Sequence, residues 1–135
     1  MSGDTIYLDA SAIVKMVVPE RGSAELAAFL EGAQPLATSL VASVEVPRAV
    51  ARYRPGDARL ITGVLDAMTL IDLTQRRAAQ AAAMTPVTLR SLDAIHLAAA
   101  LDIGDDLAVF VTYDRRLAEA AREAGLPVAS PGVGL

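Results

Sequence analysis

The chain has 135 residues, 53% of them hydrophobic, a formal net charge of -4 and no cysteine. That length is one domain, residues 1–135, large enough to bury most of its apolar surface, and no apolar run reaches the length of a membrane span; with no basic and apolar signal pattern at the N-terminus, a cytoplasmic protein with no membrane association is expected. The missing cysteines exclude disulfide frameworks, thiolate nucleophiles and zinc-cysteine sites, the single histidine argues against a histidine-rich metal site, and the acidic balance offers no bulk attraction to nucleic acid.

Thr5-Ile6-Tyr7-Leu8 is a short β-prone run followed directly by helix-compatible Asp9 to Lys15, so Asp9 falls at the carboxyl end of a first strand. Pro19 closes that segment. Ser23 to Leu30 reads as a second helix with Leu26, Phe29 and Leu30 on one face, ended by Gly32. Pro35 to Thr38 predicts a short strand, after which Ser39 caps a long helix to about Arg54, bent by Pro47. Pro55-Gly56-Asp57 is a turn signal, and Asp57 or a neighbour starts a helix through Leu60, Ile61, Val64, Leu65 and Met68. Thr69 to Leu73 alternates like a third strand, and Gln75 to Met84 is an alanine-rich helix broken by Thr85-Pro86-Val87.

Arg90 to Leu101 is an almost wholly apolar helix that Ser91 can cap and Gly104 closes. Leu107 to Thr112 is the most strand-like run, and its continuous apolarity suits burial on both faces. Asp114 follows it, then a helix from Arg115 to Ala124, a last edge strand at Pro127-Val128-Ala129, and an irregular or frayed tail over 130–135. Strands separated by helices predict an α/β domain with a mostly parallel central sheet and helices on both faces. Of the apolar candidates for an interface, Val17, Val18, Leu26, Phe29 and Leu30, most are better read as core.

Asp9 and Asp114 occupy strand ends, where open parallel sheets bind ligands. Glu45 and Asp93 are isolated acids on apolar helices, where a carboxylate loses hydration unless something compensates. Each has an ordinary explanation. Asp9 and Asp114 can cap the helices that follow, Glu45 can pair with Arg48 one turn on, and Asp93 can be a first-turn acid favoured by the helix dipole. Together they also describe a buried acidic pocket, whose carboxylates repel unless a cation keeps them ionised. An all-oxygen set points to a hard ion, Mg²⁺ or Mn²⁺, and such ions hold phosphate oxygens and activate water for in-line displacement, which makes phosphodiester hydrolysis the natural chemistry. Ser11 and Thr112 can orient a carboxylate or water from the second tier, or serve turns and caps. His96, three residues after Asp93, reads more readily as a hydrogen-bonded structural residue than as a catalytic one. Arg48, Arg52, Arg54 and Arg59, with Arg115-Arg116, are the candidate phosphate contacts.

Four blocks carry a family resemblance: Tyr7 to Lys15, Ser43 to Ala49, Leu92 to Ala98 and Val111 to Leu117. In that order and spacing, the chain resembles PIN-domain proteins, in particular the VapC ribonuclease toxins of bacterial toxin-antitoxin pairs. The resemblance implies a Mg²⁺- or Mn²⁺-dependent endoribonuclease with Asp9, Glu45, Asp93 and Asp114 as its acidic metal-binding set. It also implies an RNA substrate, a homodimer, and inhibition by a cognate antitoxin. None of the four acids is substituted, so loss of activity is not indicated. Two other classes compete with this reading. One is a phosphoacceptor signalling domain, disfavoured because Asp9 has no acidic neighbour and Lys15 is the only lysine; the other is a non-catalytic module whose acids receive a basic peptide.

Overall fold

A computed structural model describes residues 3–53 and 58–135. Its strands are β1 (Thr5–Leu8), β2 (Leu36–Ser39), β3 (Thr69–Ile71), β4 (Leu107–Val111) and β5 (Val128–Ala129). The helices described are α1 (Ala10–Val17), α2 (Ser23–Leu30), α3 (Ala42–Ala51), α4 (Ala58–Asp66), α5 (Gln75–Ala82), α6 (Ser91–Ile103) and α7 (Arg115–Glu123). All five strands are parallel in the order β3-β2-β1-β4-β5. The α/β architecture expected from the sequence is the observed one.

Alternation along β1 sorts the core into two layers. Ile6 and Leu8 point into a cluster with Ile13, Leu26, Val46 and Leu65, which α1 to α4 supply. Tyr7 points the other way, against Leu97, Phe110 and Leu117 from α6, β4 and α7. Val17, Val18 and Leu26 are buried core as expected, whereas Phe29 is 42% exposed. Small residues let α6 pack on two sides: Ala99 and Ala100 face the second layer, while Ala94 and Ala98 meet Ala81 of α5. No helix among the described residues is long and apolar enough to cross a membrane.

Several local expectations are corrected. Ser39 is the last residue of β2 and not a helix cap; its hydroxyl accepts the Val41 amide at 3.2 Å, and α3 starts after Val41 with no side-chain cap. Pro47 sits inside α3, which runs on to Ala51 and gives way to a turn at Arg52 and Tyr53. The anticipated turn at Pro55-Gly56-Asp57, and Arg54, lie outside the described residues. Ser91 is the first helical residue of α6, and Arg90, in extended conformation, takes the capping position. At the other end Gly104 closes α6 with φ 65°, the left-handed conformation that a glycine accommodates. β4 is less evenly covered than expected, since Ala108 is exposed.

The tail is irregular but docked, not frayed. Ser130 Oγ donates to the Thr112 carbonyl at 2.6 Å and Tyr113 Oη to the Pro131 carbonyl at 2.8 Å. Arg122 holds the Leu135 carbonyl at 2.8 Å. These bonds tie the chain end to the segment that follows β4.

Leu97 is 1% exposed at the centre of the second layer. Leu97→Ala is expected to lower unfolding stability by about 2–5 kcal/mol in urea denaturation; a loss below about 1 kcal/mol would show that α6 is not held by this packing.

Candidate active site

From β1 the chain proceeds to β2 on one side, while β4 pairs with β1 on the other, so strand order reverses between β1 and β4. A crevice opens outside the carboxyl ends of strands at such a point. Register places Leu8 opposite Val111, and the Asp9 amide donates to the Val111 carbonyl at 3.1 Å. Asp9 and Thr112, the next residues on each strand, therefore stand side by side at the reversal.

Asp9 is both a helix cap and the most deeply buried acid of the set. Its Oδ1 accepts the Ala12 amide of α1 at 3.0 Å and the Ser11 hydroxyl at 2.6 Å, and its Oδ2 accepts the Thr112 hydroxyl at 2.6 Å. Both hydroxyls are themselves fixed. Ser11 Oγ accepts the Tyr113 amide at 2.9 Å and Thr112 Oγ1 accepts the Asp114 amide at 3.1 Å, so each directs its single proton at Asp9. Even so, burial pushes the Asp9 carboxyl above the ordinary aspartate range, against the lowering influence of His96 and the three donors. Asp9 is 2% exposed and forms no ion pair among the described residues.

Asp114 caps α7 through Oδ1, which accepts the Leu117 amide at 3.0 Å. Its Oδ2 receives Arg90 Nη2 at 2.6 Å, while Arg90 Nε donates to Asp93 Oδ2 at 3.1 Å. One guanidinium thus spans both carboxylates. Asp93 sits in the first turn of α6, as expected; burial raises its pKa, Arg90 opposes that, and Asp114 adds to it. The Asp93 and Asp114 side chains are 13% and 23% exposed, and Arg90 is 70% exposed at the mouth.

Glu45 arrives from α3 and has a different partner from the one anticipated. Instead of Arg48, its Oε1 meets His96 Nε2 at 2.7 Å, and His96 Nδ1 meets the Tyr7 hydroxyl at 2.7 Å. Burial, then the charges of Asp9 and Glu45, raise the Tyr7 pKa well above its ordinary value. The Glu45 carboxylate can only accept, so His96 Nε2 donates to it, while Nδ1 shares the second hydrogen bond with the Tyr7 hydroxyl. The Tyr7 ring stacks on Phe110 at 5.2 Å, which gives this chain a rigid floor. His96 is the buried, hydrogen-bonded residue expected, yet the group it holds is one of the candidate acids.

The structure thus brings Asp9, Ser11, Thr112 and Asp114 into one hydrogen-bonded network that Arg90 extends to Asp93, with Glu45 attached through His96 and Tyr7 to the strand that carries Asp9. Arg48, Arg52 and Arg115 are exposed, the last adjoining Asp114. None of the three bonds to a candidate acid among the described residues. Sequence reasoning assigned no role to Arg90 or Tyr7. The i,i+3 spacing of Arg90 and Asp93 was a readable signal; the pairing with Asp114 and the Tyr7-His96 bond depend on long-range contacts.

Among the described residues no three acidic or imidazole side chains converge on a common point as a caging metal site requires. The donor chemistry nevertheless suits Mg²⁺ or Mn²⁺, which take one or two carboxylates and complete their shells with water and phosphate oxygens. Asp9, buried, pre-oriented by three donors and without an ion pair among the described residues, is the acid such an ion would most stabilise.

Residues 6–123 match the family model described as PIN domain. The chain is 43% identical over 132 residues to ribonuclease VapC47 of Mycobacterium tuberculosis, covering 94% of this chain and 97% of that protein. Ribonuclease VapC46 of the same species is 38% identical over 126 residues, covering 93% and 97%. Among solved structures, FitAcB from Neisseria gonorrhoeae superposes with a TM-score of 0.70 at 18% identity, over 93% of this chain and 97% of that one. A toxin-antitoxin complex from Klebsiella pneumoniae gives 0.67 at 23% identity with the same coverage. These two likenesses show the fold.

Because its pKa is raised on folding, Asp9 contributes stability at low pH that is lost as pH rises through its folded value. In chelator, the stability of Asp9→Asn relative to the parent is therefore expected to increase as pH rises from the ordinary carboxylate range toward neutrality. Urea denaturation at a series of pH values checks this, and a difference that stays constant or falls contradicts it.

Proposed function

Since the chain belongs to the PIN-domain family of VapC ribonucleases, we propose that the acids at the β1/β4 reversal form a divalent-metal site for hydrolysing RNA phosphodiester bonds. The observation that carries this reading is the burial of Asp9 among three oriented donors with no ion pair among the described residues. Asp9, Asp93 and Asp114 would hold Mg²⁺ or Mn²⁺, and Glu45 would complete the set directly or through water. When bound, the ion supplies positive charge at a phosphoryl oxygen and acidifies water.

The chain's own groups do the positioning. Ser11 and Thr112 fix both Asp9 oxygens, the start of α7 fixes Asp114, and His96 fixes Glu45 Oε1. Glu45 Oε2 has no protein partner among the described residues and is available to orient the attacking water. Arg48, Arg52 and Arg115 are offered as contacts to flanking phosphates, where their charge would position RNA without reading its sequence.

A cognate antitoxin and a homodimeric assembly belong to the same proposal. The toxin-antitoxin complex among the structural neighbours supports the antitoxin as a partner.

Purified protein is expected to cleave RNA with Mg²⁺ or Mn²⁺ and to stop in excess chelator. Asp93→Asn should lower the rate by more than about 100-fold, and Ser11→Ala by roughly 10- to 100-fold, the range for a group that orients a metal ligand. Undiminished cleavage in chelator, or by Asp93→Asn with Mn²⁺ limiting, would overturn the proposal.

A further inference from the structure

Arg90 places one guanidinium on two of the proposed metal ligands. Its Nε and Nη2 reach Asp93 and Asp114 at 3.1 and 2.6 Å, and these acids come from elements far apart in sequence, the first turn of α6 and the cap of α7. Arg90 itself stands at the entrance to α6 with an extended backbone and makes no side-chain cap bond. Its side chain is 70% exposed, whereas the side chains of the acids it spans are 13% and 23% exposed. The cation therefore comes from the solvent side and can leave in that direction with no rearrangement of the core.

Resting on the metal reading above, we propose that Arg90 is an internal counter-ion: it neutralises Asp93 and Asp114 while no metal is bound, and a divalent ion must displace it to gain them. Two carboxylates held close together repel unless a positive charge lies between them. A guanidinium does this through a planar fork suited to carboxylate oxygens, a geometry that lysine does not reproduce. While Arg90 holds them, Asp93 Oδ2 and Asp114 Oδ2 are not free to bind a metal. When the competent arrangement is only a fraction of the population, apparent affinity falls by that fraction. Arg90 thus sets the metal concentration at which the site loads.

A purely structural role for Arg90, stapling α6 to α7, leads to the opposite expectation. Removing a staple loosens the ligands and weakens metal binding. Removing a competitor tightens it.

Calorimetric titration of Mn²⁺ into metal-free protein, with thermal melts to confirm folding, separates the two. Arg90→Ala is expected to bind Mn²⁺ about tenfold more tightly than the parent, and Arg122→Ala, which removes an equal charge from α7 at a residue bonded to the Leu135 carbonyl and not to either acid, within about twofold of it. Arg90→Gln carries the same expectation as Arg90→Ala if the alanine variant does not fold. Unchanged or weaker binding by the Arg90 variants would overturn the counter-ion role and leave the metal reading standing, as would equal tightening by Arg122→Ala. Absence of Mn²⁺ binding in the parent and every variant would overturn both.

Discussion

Asp9 sits at the end of the central strand with 2% exposure, three hydrogen-bond donors and no ion pair among the described residues, and the neighbouring structure is arranged around that buried charge. Desolvation outweighs the donors, so its carboxyl is held above the ordinary range. Nothing in packing alone requires an acid here. A serine or threonine could cap α1 with less desolvation cost. Retaining Asp9 makes sense if the missing stabilisation comes from a cation outside the chain.

The remaining acids depend on the same strand ends. β4 delivers Thr112 beside Asp9 and then Asp114 at the cap of α7, so one hydroxyl bonds to both segments. The apolar, alanine-rich α6 packs closely on the sheet and carries Asp93 at its start and His96 one turn later. Tyr7, stacked on Phe110, meets that histidine from below, and Glu45 meets it from α3. Core residues thus act on the chemistry indirectly: they hold the acids and their hydrogen-bond partners in fixed positions.

Much of this was legible in the amino-acid sequence. Short β-prone, apolar or alternating runs located all five strands, and the parallel α/β arrangement followed from their alternation with helices. The strand-end positions of Asp9 and Asp114 followed directly from those runs. Errors fell where local signals compete. Ser39 and Ser91 both look like helix caps, but Ser39 is taken up by β2, and α6 begins at Ser91 itself behind an extended Arg90. Glu45 and Arg48 have the spacing of an intrahelical pair, yet buried His96 offers Glu45 a fixed partner that an exposed arginine cannot match. The tail looked unanchored because its bonds reach Thr112, Tyr113 and Arg122, contacts that no local pattern encodes. Arg90 is the clearest case: one of its acids lies three residues away and the other arrives only through the fold.

Anomalous diffraction from Mn²⁺-soaked crystals near neutral pH is the most direct measurement of whether these acids form a metal site. The account predicts a peak against the Asp9 carboxylate, with Asp93 or Asp114 among the coordinating groups and the Arg90 guanidinium withdrawn from both. A crystal saturated with Mn²⁺ that shows no peak at Asp9, with Arg90 still bridging Asp93 and Asp114, would contradict it.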